Sequence, residues 1–132
     1  MASIVNFSEA ASIGIHGMIA LARKGEPINA IELSETLQKS KHHIGKVMQR
    51  LVKSGFLTSF RGPTGGFNLR VKPAEITMYD IYAAIEGPVE VKGCENLSHL
   101  CPTNKCINNN VVRNLTIEFI NYMKKETLAD YI

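Results

Sequence analysis

A short helix, a tight break and a second, capped helix form the segment that most restricts the fold of this chain. Between residues 41 and 54 the apolar residues recur at the spacing of one helix face. They are Ile44, Val47, Met48, Leu51 and Val52. Ser40 precedes them as an N-cap, and Gly55 stands where helices commonly end. The pattern predicts a helix over 41–54 that buries one stripe.

The residues on the N-terminal side complete a recognisable unit. Asn29 and Glu32 resemble a capping box at the start of a short helix predicted over 30–38. An earlier amphipathic helix is predicted over 8–24, with Ser8 as its cap. Its two interior glycines weaken a helix, so we expect them to allow close packing. Two short helices joined by a tight turn predict a helix-turn-helix.

A β-hairpin is predicted directly after the helix-turn-helix. Residues 56–60 favour a strand, and residues 67–71 alternate like a returning strand. Between them, residues 61–66 read Arg-Gly-Pro-Thr-Gly-Gly, which is typical of a turn. The hairpin would form a wing with a basic, glycine-rich tip.

The rest of the chain predicts two more helices around a polar loop. Thr77 and Asp80 form a capping box for a helix over 77–86. A loop follows over 88–105, and a last helix is predicted over 107–126. Its apolar seam is close to a heptad repeat, which predicts a dimer helix. The seam consists of Val112, Leu115, Phe119, Tyr122 and Met123.

These elements predict a mainly α-helical fold with a small β-hairpin wing. We expect a winged helix-turn-helix DNA-binding domain over residues 1–76. Residues 77–132 would hold the cysteine-containing loop and a long C-terminal dimerisation helix.

Charge divides the chain at about the same place. Residues 1–72 contain ten Lys and Arg against four acids, whereas residues 73–132 contain five against eight. A basic half joined to an acidic half suggests a polyanionic partner for the first half. A solvated surface with a mild charge bias is the alternative explanation.

The exposed side of the 41–54 helix contains the candidates for DNA contact. Because the N-terminal part of such a helix meets base edges, His42, His43 and Lys46 are candidates for contacting bases. The candidates for phosphate contact and positioning are Gln49, Arg50 and Lys53, and Ser40 and Lys41 are further candidates for contact with DNA. The alternative is a basic, solvated helix face.

The wing tip adds further candidates. Arg61 stands on a thin loop and could enter a narrow minor groove, where the potential is most negative. Thr64 and the amides of Gly65 and Gly66 could contact phosphates. An ordinary hairpin turn is the alternative.

All three cysteines of the chain fall within thirteen residues. Cys94, Cys101 and Cys106 have the spacing C-x6-C-x4-C. Thiolates are soft ligands that suit an iron–sulfur cluster or zinc, although the spacing lacks the C-x2-C pair of common zinc fingers. The sequence predicts a metal or cluster site, with three incidental cysteines as the alternative.

The sequence argues against a membrane protein, a secreted protein and an enzyme. We expect no bilayer-spanning segment, and the N-terminus lacks the basic and apolar regions of a signal peptide. A cytoplasmic protein is therefore expected, where an odd number of cysteines fits metal binding better than disulfides. We find no nucleophile elbow, phosphate loop or paired carboxylates, so an enzyme is not expected.

Several motifs together resemble the Rrf2 family of bacterial transcription regulators. They are residues 61–67 of the wing, the stretch 80–88 (Asp-Ile-Tyr-Ala-Ala-Ile-Glu-Gly-Pro), the opening 6–11 (Asn-Phe-Ser-Glu-Ala-Ala) and the three-cysteine loop. The resemblance covers nearly the whole chain. It implies a homodimer with two winged helix-turn-helix units that binds a palindromic operator in double-stranded DNA.

The resemblance also implies an iron–sulfur cluster bound between the three-cysteine loop of one subunit and the first helix of the other. The fourth ligand stays open. One branch of the family has a histidine three residues after the last cysteine, where this chain has Asn109. Another has an aspartate in the first helix, with which Glu9 aligns, and His99 is a second candidate. A small molecule, water or no fourth ligand is the remaining possibility. Three thiolates and one carboxylate favour [4Fe-4S] over [2Fe-2S] by resemblance.

The predicted function is therefore a DNA-binding regulator whose operator affinity depends on an iron–sulfur cluster that senses iron, redox state or nitric oxide. One alternative is a cluster-free winged-helix regulator controlled by thiol oxidation or by a partner protein. Another is a zinc-stabilised interaction module that does not bind DNA.

Overall fold

The computed structural model describes residues 7–63, 65–91 and 110–132. The helices in these ranges are α1 (Glu9–Lys24), α2 (Ala30–Leu37), α3 (Lys41–Lys53), α4 (Met78–Glu86) and α5 (Val111–Lys125). Strands β1 (Leu57–Phe60) and β2 (Gly66–Leu69) form one antiparallel hairpin, and short 3-10 helices cover Pro73–Glu75 and Leu128–Tyr131. The predicted fold class, mainly α-helical with a hairpin wing and a C-terminal helix, is confirmed.

The helix starts follow the capping residues named from the sequence. The side chains of Ser8, Asn29, Ser40 and Thr77 each accept a hydrogen bond from a backbone N–H in the first turn of their helix. Such bonds satisfy amides that have no partner within the helix. The starts of α1 to α4 therefore match the sequence prediction to within about two residues. The last helix was predicted from residue 107, which lies outside the described residues, and α5 begins at Val111.

The two interior glycines of α1 mark its closest helix contacts. A Cβ on Gly14 would overlap the Cδ1 atom of Ile85 in α4, and one on Gly17 would lie 3.0 Å from the sulfur of Met48 in α3. The expectation that these glycines permit close packing is confirmed. α1 thus lies directly against both α3 and α4.

The apolar stripe of α3 forms the centre of the core. Ile44, Val47, Met48 and Leu51 are all buried, together with Leu33 of α2 and Ile81 of α4. Val52, the last residue of the predicted stripe, is only half-buried. Burial of the other four fixes which side of α3 faces solvent, because residues opposite them cannot reach the core.

The hairpin is attached to the helical core at its base. Leu57 pairs with Leu69, and Phe60 pairs with Gly66. Phe67 exchanges two backbone hydrogen bonds with Ile28, just before α2, with N···O distances of 2.8 and 3.0 Å. The wing therefore has a fixed position beside the start of α2.

The segment after α5 returns to the core, a feature that the sequence analysis did not predict. Leu128 is fully buried, and its N–H donates to the carbonyl of Ile76 at 3.0 Å. Thr127 also forms a bridge with Thr77 beside the start of α4. The C-terminal end of α5 is thereby held against the body of the domain.

The predicted seam of α5 is divided between two environments. Val112, Leu115 and Tyr122 are exposed, whereas Phe119 is half-buried and Met123 is buried in the core. Met123 therefore belongs to the fold of a single chain, and the exposed residues remain the candidates for a dimer contact.

None of the helices in the described ranges combines the length and hydropathy needed to traverse a lipid bilayer.

Candidate nucleic-acid interface

The exposed side of α3 carries a row of cationic and polar side chains. Lys41, His42, Lys46 and Gln49 are all exposed, and Ser40 caps the helix by accepting from the N–H of His43 at 3.1 Å. The helix also has no acidic residue in its first turn. The N-terminal end of α3, where the helix dipole is positive, therefore lies on the same exposed side as Lys41 and Lys46. This arrangement is suited to binding an anion.

A groove runs between this side of α3 and the start of α2. It has a volume of about 720 Å³. Its walls are Ala30, Lys41, His42, Gly45, Lys46 and Gln49. Four of the residues named from the sequence as DNA contacts therefore line one continuous depression.

A second depression separates α3 from the wing. It has a volume of about 540 Å³, and its lining includes Lys41 and Gln49 from α3 and Arg61 and Gly65 from the wing. Arg61 is exposed, and the turn closes with a 2.9 Å hydrogen bond from the N–H of Gly65 to the carbonyl of Gly62. Thr64 lies outside the described residues. Helix and wing thus present their cations on the same side of the domain.

Arg50 has a role that the sequence did not indicate. Its Nη1 donates to the carbonyl oxygen of Ile85 at 3.0 Å, near the C-terminal end of α4. The last carbonyls of a helix lack partners within it, so this bond satisfies one of them. Arg50 also lines a shallow groove with Lys46 and Lys53, so it lies on the cationic side while holding α3 to α4.

Glu9 lies in the first turn of α1 and contacts the helix-turn-helix. Its Oε1 is 2.9 Å from the Nζ of Lys39 in the α2–α3 turn, and its Oε2 is 3.9 Å from the Nδ1 of His43. The hydrogen bond from Lys39, followed by the charge of the same ammonium, lowers the pKa of Glu9. The two predicted base-contacting histidines are thereby separated, because His42 lines the groove and His43 faces Glu9.

The three cysteines and His99 lie outside the described residues, as does Asn109. Of the predicted ligands, only Glu9 falls within the described ranges. In those ranges no group of three His, Cys, Asp or Glu side chains is placed to bind a metal ion. Glu9 is accessible, with about half of its side chain exposed, so its carboxylate can reach a partner beyond its own helix.

Sequence reasoning missed Lys39 and Ala30 as parts of this surface. Lys39 stands in the helix-turn-helix break, where a basic residue gives no signal of its own, and its partner Glu9 is thirty residues earlier. Ala30 lines the groove through the first turn of α2. Their contribution depends on the packing of helices that are separate in sequence.

The chain is similar in sequence to known transcription regulators. The model of the Rrf2 family, described as an iron-dependent transcriptional regulator, matches residues 7–132. The HTH-type transcriptional regulator NsrR of Bacillus subtilis (strain 168) is 28% identical over 118 residues, covering 86% of this chain and 80% of that protein. The regulator IscR of Escherichia coli O1:K1 / APEC is 24% identical over 114 residues, covering 86% and 70%.

A solved structure extends the likeness to the fold. CymR, the global cysteine regulator of B. subtilis, superposes with a TM-score of 0.75 at 26% identity, covering 96% of this chain and 95% of that one. These relatives are transcriptional regulators, a class of proteins that are not enzymes. The resemblance found in the wing, in the stretch around α4 and at the start of the chain is confirmed by the family match over 7–132. This chain belongs to the Rrf2 family of transcriptional regulators.

Proposed function

We propose that this regulator binds an operator as a homodimer through α3 and the wing, and that an iron–sulfur cluster controls its affinity for DNA. The observation that carries the proposal is the contact of Glu9, the candidate fourth ligand, with Lys39 and His43 of the helix-turn-helix. The same carboxylate is thus a candidate ligand of the proposed sensor and a partner of the helix-turn-helix.

Placement of the cations supports duplex DNA as the ligand. Lys41 and Lys46 flank the groove of α3, and Arg61 stands across the second depression on the wing. A helix of this kind enters the major groove with its N-terminal residues toward the bases. Arg61 is then the candidate for the minor groove and the nearby lysines for phosphates.

The donor set supports a cluster. Cys94, Cys101 and Cys106 would hold it through thiolates, and Glu9 would supply an accessible oxygen ligand. When bound, such a group supplies a centre that responds to oxidants, nitric oxide or loss of iron. The relatives named NsrR and IscR share most of the length of this chain, which supports this choice of sensor.

The contacts of Glu9 suggest how sensor and DNA site are connected in this chain. A carboxylate that ligates iron is no longer available to pair with the ammonium of Lys39. Lys39 precedes the Ser40 cap of α3, where a phosphate of the duplex would compete for the same cation. We therefore expect ligation by Glu9 and DNA binding by Lys39 to favour each other.

Exposed apolar residues on α5 support the homodimer. Val111, Val112, Leu115 and Tyr122 each leave between 39% and 54% of their surface exposed on the described chain. A row of such residues on one helix favours burial against a second copy. Two copies would present two α3 helices to half-sites about one helical turn apart.

A cluster-free regulator controlled by thiol oxidation is the second candidate. It is favoured by the likeness to CymR, a cysteine regulator, at 26% identity over nearly the whole of both chains. Three cysteines close in sequence are compatible with either chemistry.

Anaerobic purification followed by absorption spectroscopy and iron and sulfide analysis separates the two candidates. We expect a visible absorption band and acid-labile sulfide from the wild type. The matched variant Cys101→Ala is expected to lose both while remaining dimeric in light scattering. Colourless, iron-free wild-type protein would favour thiol control instead.

Operator binding is then compared between loaded and cluster-free protein by fluorescence anisotropy. The proposal requires the two forms to differ in affinity for the same duplex. Equal affinities would remove the cluster from the control of DNA binding, although the protein would remain a DNA-binding regulator.

A further inference from the structure

Gly45 lies inside α3, and no contact among the described residues requires a glycine there. Gly45 is the fifth residue of α3, and glycine inside a helix costs roughly a factor of five in helix stability relative to alanine. Its backbone does not adopt a positive φ, unlike Gly25 and Gly55 at helix ends. Any residue that favours helix could therefore adopt the backbone conformation found at position 45.

Packing does not require a glycine there either. In the part of the chain that the structure describes, no atom lies within 4 Å of a Cβ built on Gly45. The contrast with Gly14 and Gly17 of α1 is sharp, because a Cβ at either of those positions would press on a buried side chain. Contacts within the described residues therefore do not account for the missing side chain of Gly45.

The surroundings of Gly45 are those of an open groove that a second molecule could enter. Gly45 lies in the wall of the 720 Å³ groove, together with Ala30. Lys41, His42 and Gln49 stand four residues before, three before and four after Gly45, and so share its helix face. A concave strip without a side chain, bordered by cations and by hydrogen-bonding groups, fits the edge of a base pair flanked by phosphates.

We propose that Gly45 is a specificity-determining residue of the DNA-binding surface, because its missing side chain lets α3 approach base edges closely. The inference rests on the proposed function, since it requires that α3 enters the major groove. Close approach brings His42 and Gln49 within hydrogen-bonding range of bases. A side chain at position 45 would hold the helix away from them.

The test uses Gly45→Ala and Gly45→Leu in the full chain. Both residues favour helix, and they differ in size. The probe is a duplex enriched from a random library by the wild-type protein, and a scrambled duplex of equal length measures non-specific binding. Thr36→Ala is the control, because Thr36 is exposed on α2 and also gains helix propensity but does not line the groove.

We expect the melting temperature of both Gly45 variants to be at least that of the wild type. For Gly45→Ala it should be higher by roughly 2–8 °C. Affinity for the enriched duplex should fall about tenfold for alanine and further for leucine, the scale of losing one base contact or more. Affinity for the scrambled duplex should stay within about twofold of wild type. The slope of log K against log salt should stay within about half a unit of wild type.

Three results would overturn the inference. Unchanged affinity of Gly45→Leu for the enriched duplex would show that nothing approaches this position. Equal losses on both duplexes would move Gly45 away from the bases, and a lowered melting temperature of Gly45→Ala would assign the glycine to folding. Failure of the wild type to enrich any duplex would instead refute the proposed function itself.

Discussion

Replacement of Lys46 or Arg50 by alanine separates the DNA-binding role of α3 from its structural role. Each change removes one cation from the same side of the helix. Lys46 is exposed and lines the groove, whereas Arg50 also donates to the carbonyl of Ile85 at 3.0 Å. The two variants should therefore weaken DNA binding alike and differ in their stability.

The loss in binding follows from counterion release. If each cation neutralises one phosphate, either variant should lower the slope of log K against log salt by about 0.9. A loss of about 0.9 in this slope corresponds to about fivefold weaker DNA binding at 0.15 M salt and about fifteenfold weaker binding at 0.05 M salt. The part of the loss that comes from phosphate contacts should be the same for any duplex sequence, since phosphates carry no sequence information. A base contact by Lys46, the role named for it from the sequence, would add a loss confined to the operator.

The loss in stability comes from the bond between α3 and α4. A hydrogen bond from a charged donor contributes about 1.5–3 kcal/mol, and partial exposure of Arg50 reduces this to about 1 kcal/mol, because water can replace it. For a chain of this length that free energy corresponds to roughly 3–5 °C in melting temperature. Lys46→Ala has no such bond to lose and should melt within about one degree of wild type.

Fluorescence anisotropy across a salt series and thermal melting by circular dichroism measure the two effects. Arg50→Lys is the matched control, because it keeps the charge and loses the planar donor that contacts Ile85. It should retain most of the salt slope while losing stability. An unchanged salt slope in both alanine variants would refute the assignment of this face to DNA, and equal melting temperatures would refute the role of the Arg50 bond.

Three further variants test other parts of the argument. Glu9→Gln should raise the affinity of cluster-free protein for DNA by up to about fivefold at 0.15 M salt, because it releases Lys39. Unchanged binding in fluorescence anisotropy would refute the proposed connection between Glu9 and DNA binding by Lys39. Thr77→Ala should lower the free energy of unfolding by about 1 kcal/mol in urea titrations, since it removes the cap of α4; a change below a few tenths would contradict the capping argument. Gly66→Ala places a Cβ 2.6 Å from the carbonyl oxygen of Ile28. We therefore expect it to lower the free energy of unfolding by about 1–3 kcal/mol and to weaken DNA binding. A variant with the melting temperature of wild type would show that the wing can shift freely.

Local signals account for most of the fold that could be predicted. The buried stripe of α3 and the caps Ser40 and Thr77 depend on residues within a few positions of each other. The return of residues 128–131 to the core carried no such signal, because Leu128 bonds to the backbone of Ile76, which is far from it in sequence. The same holds for Met123, whose helix position suggested a dimer seam and whose environment is the core.

The candidate site divides along the same line. The cationic face of α3 and the basic wing follow from the sequence, because helical periodicity forces residues opposite a buried stripe into solvent. The contacts of Glu9 with Lys39 and of Arg50 with Ile85 are made between elements thirty or more residues apart, so only the packing of α1, α3 and α4 brings them together. Gly45 shows the difference most plainly. Its sequence position marks it as a weak point of a helix, and only the tertiary structure shows that no neighbour among residues 7–63, 65–91 and 110–132 requires a glycine there.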